Sequence, residues 1–303
     1  MNYLSNDRCH VHETRAGIEL NAGSSTRMCD SQLLGGEIAA RDARSFIRGS
    51  FPQPSIRVYA LGRFSIVLHE QALTFASKVP KKPLQVLKAL IALGGRMVDI
   101  EALMGTVWPE LGYAARPALD VALMRLRKIL GSQSAVTLSD GRLTLNEQEC
   151  WVDVWSFERA IAKFDSAANR HQRRTIFDLY RGRFLDRDGD LQWIVRVRDR
   201  LAAKFRRIAL DVARTEEQSQ HWNAAAQVYR RCLEFDNLDQ EFYSRLMYCE
   251  WRLGHHADAL NTYRRCRDLL RLHVGVKPST ELDMLYQRVL ASECCVHWAG
   301  AAQ

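Results

Sequence analysis

Thirty-four residues separate two copies of one short block. Val228-Tyr229-Arg230-Arg231-Cys232 returns as Thr262-Tyr263-Arg264-Arg265-Cys266, with Ala225 and Ala259 in the same register. A period of that length is one helix-turn-helix pair, and such a pair buries its apolar face only by stacking on its neighbours. The second half of the chain is therefore constrained to an array of stacked helices, in which the small Ala and Cys positions recur where helices approach. Tyr229, Tyr263, Trp222 and Trp251 read as core at this spacing, and the Arg230-Arg231 and Arg264-Arg265 pairs as solvated helix faces. Upstream, Trp155 to Phe164, Thr175 to Tyr180 and Leu191 to Thr215 are helical without keeping the period strictly. They read as divergent members of the same stack, and the period itself is that of the tetratricopeptide unit.

Before Cys150 the pattern changes. Ile56-Arg57-Val58-Tyr59, Phe64 to Leu68 and Ala72 to Phe75 alternate as short strands, with Gly62 and His69-Glu70-Gln71 between them, which predicts a small antiparallel meander. Leu84, Leu87, Leu90 and Ile91 then share one helical stripe that stops at Gly94-Gly95. Asp99 is placed to cap a second helix from Ile100 to Val107, stopped by Pro109 and Gly112. In a third helix, Arg116 to Leu130, residues Leu119, Ala122, Leu123, Leu126, Ile129 and Leu130 gather on one face, with Val121, Met124, Arg125 and Lys128 opposite. Pro117 suits its first turn, where a missing N–H costs nothing. Val136 to Leu138 and Leu143 to Leu145 follow as two matched strands joined through Asp140-Gly141, a favoured hairpin turn.

Three helices ending in a hairpin are the physical parts of a winged helix-turn-helix, and charge supports that reading. Lys+Arg 43 against Asp+Glu 35 leave the chain at +8, a balance that favours acidic partners, nucleic acid before an anionic membrane. Between Pro54 and Cys150 there are twelve Lys/Arg and eight Asp/Glu. The candidate DNA-binding residues are Arg116, Val121, Met124, Arg125, Arg127 and Lys128 on the third helix, and Arg142 beside the hairpin tip. Lys81 and Lys82 join them, in an acid-free stretch with Lys78 and Lys88 that can hold phosphates. A major groove admits such a helix, arginine bridges the two acceptors of guanine, and a hairpin arginine reaches phosphate or the minor groove. Met124 and Val121 are poor solubilising choices but suit contact with sugar or a thymine methyl.

These residues also carry a family resemblance. Leu119-Asp120-Val121-Ala122-Leu123-Met124-Arg125-Leu126-Arg127-Lys128 resembles the recognition helix of the response-regulator type of winged helix, where an Asp-Val pair precedes an Arg-Leu-Arg run. Leu87 to Leu93, Gly95 to Val98 and Leu103 to Trp108-Pro109 resemble its first two helices. The resemblance implies that Val121, Arg125 and Arg127 face bases or the groove floor, and that the Pro109 to Ala115 loop faces RNA polymerase. Further on, Val152 to Glu158, Tyr180 to Leu185, Trp193 with Arg198 to Leu201, and Leu272 to Leu285 around Gly275-Val276-Lys277-Pro278-Ser279 resemble the bacterial transcriptional activator domain. That domain follows such a winged helix in the antibiotic regulatory protein (SARP) type of activator. The resemblance covers roughly residues 56 to 290; it departs at Asn237, where the family usually has proline, and does not reach residues 1 to 54.

The expected architecture is mainly α: a winged helix-turn-helix domain (55–150; α+β, small antiparallel sheet), then an all-α tetratricopeptide-like activator domain (151–292). Residues 1–54, with six basic and six acidic side chains and Gly/Ser-rich stretches, read as a disordered extension around one short helix from Leu33 to Phe46, and 293–303 as a flexible tail. No apolar run approaches the roughly 18 residues of a spanning helix, and the start lacks a signal-peptide centre, so a cytoplasmic protein with reduced thiols is expected. Cys9-His10 with His12, His255-His256, and Cys294-Cys295 with His297 lack zinc-site spacing, and no nucleophile elbow, HExxH or carboxylate pair stands out. Neither a metal, a cofactor nor an enzymatic role is expected. The expected partners are promoter DNA, RNA polymerase and a second protomer on DNA, with no membrane. The competing reading is a protein-interaction adaptor that uses the same repeats and winged helix as protein-binding surfaces.

Overall fold

The computed structural model describes residues 54–75, 79–164 and 170–299. The expected helix from Leu33 to Phe46 and the extension around it lie outside the described residues. Strands β1 (Ile56–Tyr59), β2 (Ser65–Leu68) and β3 (Gln71–Ala72) form the expected hairpin run, with Ile56 opposite Leu68 and Tyr59 opposite Ser65. The third strand is shorter than expected and the sheet is not a pure meander. A fourth strand, β7 (Cys150–Val152), lies parallel to β1 on its other side, giving the order β3-β2-β1-β7. A run of three residues is too short to show a periodicity, and its partner is nearly a hundred positions away. Parallel neighbours need a long crossover, and here that crossover is the whole helical part of the winged helix.

That crossover contains α1 (Lys81–Ala92), α2 (Ile100–Val107) and α3 (Arg116–Leu130). Asp99 caps α2 by accepting from the N–H groups of Glu101 at 2.8 Å and Ala102 at 3.1 Å. α3 buries Leu119, Ala122, Leu123, Leu126 and Leu130 and ends at Gly131, whose φ of 72° provides the left-handed stop. Each such leucine removed from water stabilises by about 2 kcal/mol. The wing is β5 (Val136–Ser139) and β6 (Arg142–Leu145), turned through Asp140 and Gly141 at φ 50° and 72°, the pair of positive φ values that a type I′ turn requires. β6 also pairs with β4 (Val98–Asp99), so the N-cap of α2 is anchored to the wing.

Among the described residues seven helices follow: α4 (Asp153–Ala162), α5 (Arg170–Leu179), α6 (Gln192–Gln218), α7 (Trp222–Phe235), α8 (Gln240–Arg252), α9 (His256–His273) and α10 (Thr280–Ala299). The sequence repeat falls on α7 and α9. Ala225 and Ala259, Tyr229 and Tyr263, and Cys232 and Cys266 are all buried at equivalent positions. The paired arginines are less uniform than expected, because Arg230 bonds to the buried Glu250 at 2.9 Å rather than standing free in solvent. Tyr180, Phe205 and Phe235 close the inner end of the stack, Tyr180 lying flat on Phe205 at 4.1 Å.

The two halves meet in a continuous junction. The buried Asp153 carboxylate, at the start of α4, accepts from the backbone N–H groups of Ala60 (2.9 Å), Leu61 (2.8 Å) and Val154 (2.7 Å). Burial pushes its carboxyl up to about 6 against the lowering pull of these bonds. Leu185 N–H donates to Ala60, Gly62 N–H donates to Arg183, and Asp186 N–H returns to Gly62. Arg198 holds the same loop by donating to the carbonyl of Phe184 at 2.7 Å and to Asp190 at 2.7 Å, while Lys88 of α1 pairs with Asp188. Gly182 passes so close to Gly62 that a Cβ on it would stand 2.9 Å from the Gly62 Cα.

Candidate nucleic-acid interface

The outward face of α3 is the surface that the winged helix leaves uncovered. Val121 is 45% and Met124 60% exposed, and Arg125 and Lys128 project beside them. No carboxylate among the described residues forms an ion pair with Arg125 or Lys128. Lys128 also stands in the last turn, where a cation is favoured by the helix dipole. Arg142 opens β6 directly after the turn and is exposed at the wing tip, and Lys81 is exposed in the first turn of α1. Leu138, exposed on the wing strand, adds an apolar neighbour that its position in an alternating strand gave no reason to single out.

The remaining candidates are already engaged. Arg127 is half-buried, and its Nε donates to the Val136 carbonyl at 2.9 Å, tying α3 to the wing. Arg116 lies 3.3 Å from Asp120 one helical turn away, an exposed pair that holds part of its charge on the protein. Lys82 donates to the Val107 carbonyl at 3.1 Å and sits over the Trp108 ring at 5.2 Å, closing the end of α2. The reason for the split on α3 is angular. Arg125 and Arg127 are two positions apart and point about 200° from one another, so one faces solvent and the other the wing. The Pro109 to Ala115 loop forms a short 3₁₀ turn, Gly112–Ala115, with Leu111 exposed on it.

Among the described residues no group of three His, Cys, Asp or Glu side chains could hold a metal, and no helix is long and apolar enough to cross a membrane. The Cys9-His10-His12 group lies outside the described residues.

Residues 152–290 match the family model of the bacterial transcriptional activator domain. Over 223 aligned residues the chain is 23% identical to the transcriptional regulatory protein EmbR of Mycobacterium bovis and to that of Mycobacterium tuberculosis, covering 69% of this chain and 57% of the relative. The chain thus spans less than two thirds of the length of these relatives. The solved structure of Mycobacterium tuberculosis EmbR in complex with a low-affinity phosphopeptide has the same fold over 79% of this chain and 66% of that one, with a TM-score of 0.56 at 20% identity. Residues 152–290 thus belong to the bacterial transcriptional activator domain family, and the winged helix is built directly onto that domain.

Proposed function

We propose that the protein is a sequence-specific DNA-binding activator whose α3 enters the major groove of promoter DNA. The observation that carries this reading is the composition of the uncovered α3 face: two cations without acidic partners among the described residues, flanking two exposed apolar side chains. In this reading Arg125 bridges the acceptors of a guanine, Val121 and Met124 lie against sugar or thymine methyls, and Lys128, Lys81 and Arg142 hold phosphates. Arg127, Lys82 and Arg116 serve mainly by positioning α3, the end of α2 and the first turn. Two protomers occupy repeated half-sites, and the 109–115 loop with the helical half contacts RNA polymerase.

The test is an anisotropy titration of the full chain on DNA from its own upstream region, at several salt concentrations, against scrambled competitor. Arg125→Ala should cost about 1 to 3 kcal/mol on the specific site and relax specificity, whereas Lys128→Ala should weaken all sequences alike and reduce the salt slope by about 1. Specific binding untouched by Arg125→Ala would remove α3 from the reading role.

A further inference from the structure

The helical half carries a recess that DNA binding does not use. It measures about 480 Å³ and is lined by Glu217 and its neighbour Gln218, Trp222, Ser244, Arg245, Tyr248 and Leu285, drawn from the end of α6, the start of α7, α8 and α10. That volume is within the range of small-molecule sites, which combine apolar walls with a few convergent polar groups. The walls here are Trp222 and Tyr248, edge to face at 5.7 Å, and Leu285.

The polar groups decide the charge of an occupant. Glu217 is engaged at both oxygens: Oε1 accepts from the Tyr229 hydroxyl at 2.7 Å, and Oε2 faces Arg245 Nη1 at 3.3 Å. Arg245 keeps donors to spare: among the described residues one long contact engages a single nitrogen, and its side chain stays 40% exposed. Arg252, which is not itself part of the lining, stands over the Trp222 ring at 4.5 Å and donates to the Tyr248 hydroxyl at 3.1 Å, adding a second positive charge beside two of the lining residues. Arg245 and Arg252 thus outnumber the one carboxylate of the lining, Glu217, whose oxygens both already accept, and Ser244 adds a hydroxyl. A cationic guest would meet Arg252 on the aromatic face it needs. A guest with one carboxylate would complete the free edge of Arg245 with charge-assisted hydrogen bonds, its flat body against Trp222, Tyr248 and Leu285.

We infer that this recess binds a small organic monocarboxylate with a flat apolar body. The site is formed within one protomer and is independent of the DNA-binding face, so its occupant supplies an input separate from promoter recognition.

The test uses the full chain with 2-naphthylacetate as probe and 2-naphthylacetamide as its uncharged counterpart, followed by calorimetry and Trp fluorescence. The acid should bind with a dissociation constant below about 1 mM, and the amide about tenfold more weakly. Arg245→Gln should bring the acid down to the level of the amide and leave the amide unchanged, while Tyr248→Ala should weaken both. Circular dichroism melts of each variant separate loss of the site from loss of the fold. Equal binding of acid and amide, an Arg245→Gln chain that binds the acid as before, or no binding of either probe would each overturn the inference, and none of these outcomes bears on DNA binding.

Discussion

Replacing Asp153 by alanine tests the junction where the two halves meet. The carboxylate accepts three backbone N–H groups, two of them from the corner after β1, and the site is buried. A hydrogen bond to a charged acceptor is worth about 1.5 to 3 kcal/mol, so removal forfeits roughly 5 to 9 kcal/mol of gross interaction. Burying the ionised group outweighs the pull of those bonds on the proton and leaves the Asp153 carboxyl at about 6 instead of 3.8, so folding favours its protonated form over the ionised one by roughly 3 kcal/mol. With buried N–H donors left lacking an acceptor at about 1 to 3 kcal/mol each, the net loss expected for Asp153→Ala at pH 7 is about 3 kcal/mol, equivalent to a fall in melting temperature of roughly 6 to 12 °C for a body of this size. The sign of the pH dependence follows from the same shift. The folded state holds the Asp153 proton up to about pH 6 and the unfolded state only to about pH 4, so the folded state binds more protons in that window. Asp153's contribution is therefore fully present below pH 4 and declines as pH rises towards 6. Urea denaturation at pH 5 and pH 7 reads both effects: the variant should lose more, relative to the parent chain, at pH 5. A loss below about 1 kcal/mol at both values would refute the account of Asp153 as the acceptor that joins the halves.

Two further predictions follow from close packing. Gly95 has a φ of 73°, and a Cβ there would lie 2.1 Å from the Trp155 ring, whereas Gly94, at a φ of 100°, has nothing within 4 Å. Gly95→Ala should therefore cost about 2 kcal/mol more than Gly94→Ala in chemical denaturation, since the latter bears only the backbone strain. The thiols of Cys150, Cys232, Cys249 and Cys266 are pushed up to about 12, chiefly by burial. Mass spectrometry after iodoacetamide at pH 8 should find these four unmodified in the folded chain and modified after denaturation, and labelling of any one in the native protein would contradict its place in the core.

The elements closest to the candidate interface were legible because their signals are local. Pro117 opens α3, Asp99 caps α2, and Asp140-Gly141 turns the wing, each within a few residues of the feature it specifies. The junction was not legible. Asp153 opens a helix in the sequence, and nothing nearby shows that its partners are Ala60 and Leu61 on the far side of the winged helix. The same distance hid β7. Within α3, apolar spacing separated the buried face from the exposed one, but the assignment of Arg127 depended on a carbonyl of β5. The recess in the helical half was invisible for the same reason, since its lining comes from four helices.

The parallel pairing of β1 with β7 also governs how the chain can be made. β1 is translated long before its parallel partner, so one of its edges stays open until Cys150–Val152 has been translated, and the corner at Ala60 and Leu61 stays unsatisfied until Asp153 and then the 182–186 loop arrive. At about 5 to 20 residues per second that interval lasts on the order of ten seconds, much longer than a hairpin or helix needs to form. The nascent chain thus carries an exposed strand edge while the α1–α3 unit is already able to collapse, and completion of the sheet is deferred to the moment the activator half begins to fold. A fragment that stops at residue 150 would be arrested permanently at that stage, with β1 unpaired on one side and two buried N–H groups lacking their acceptor.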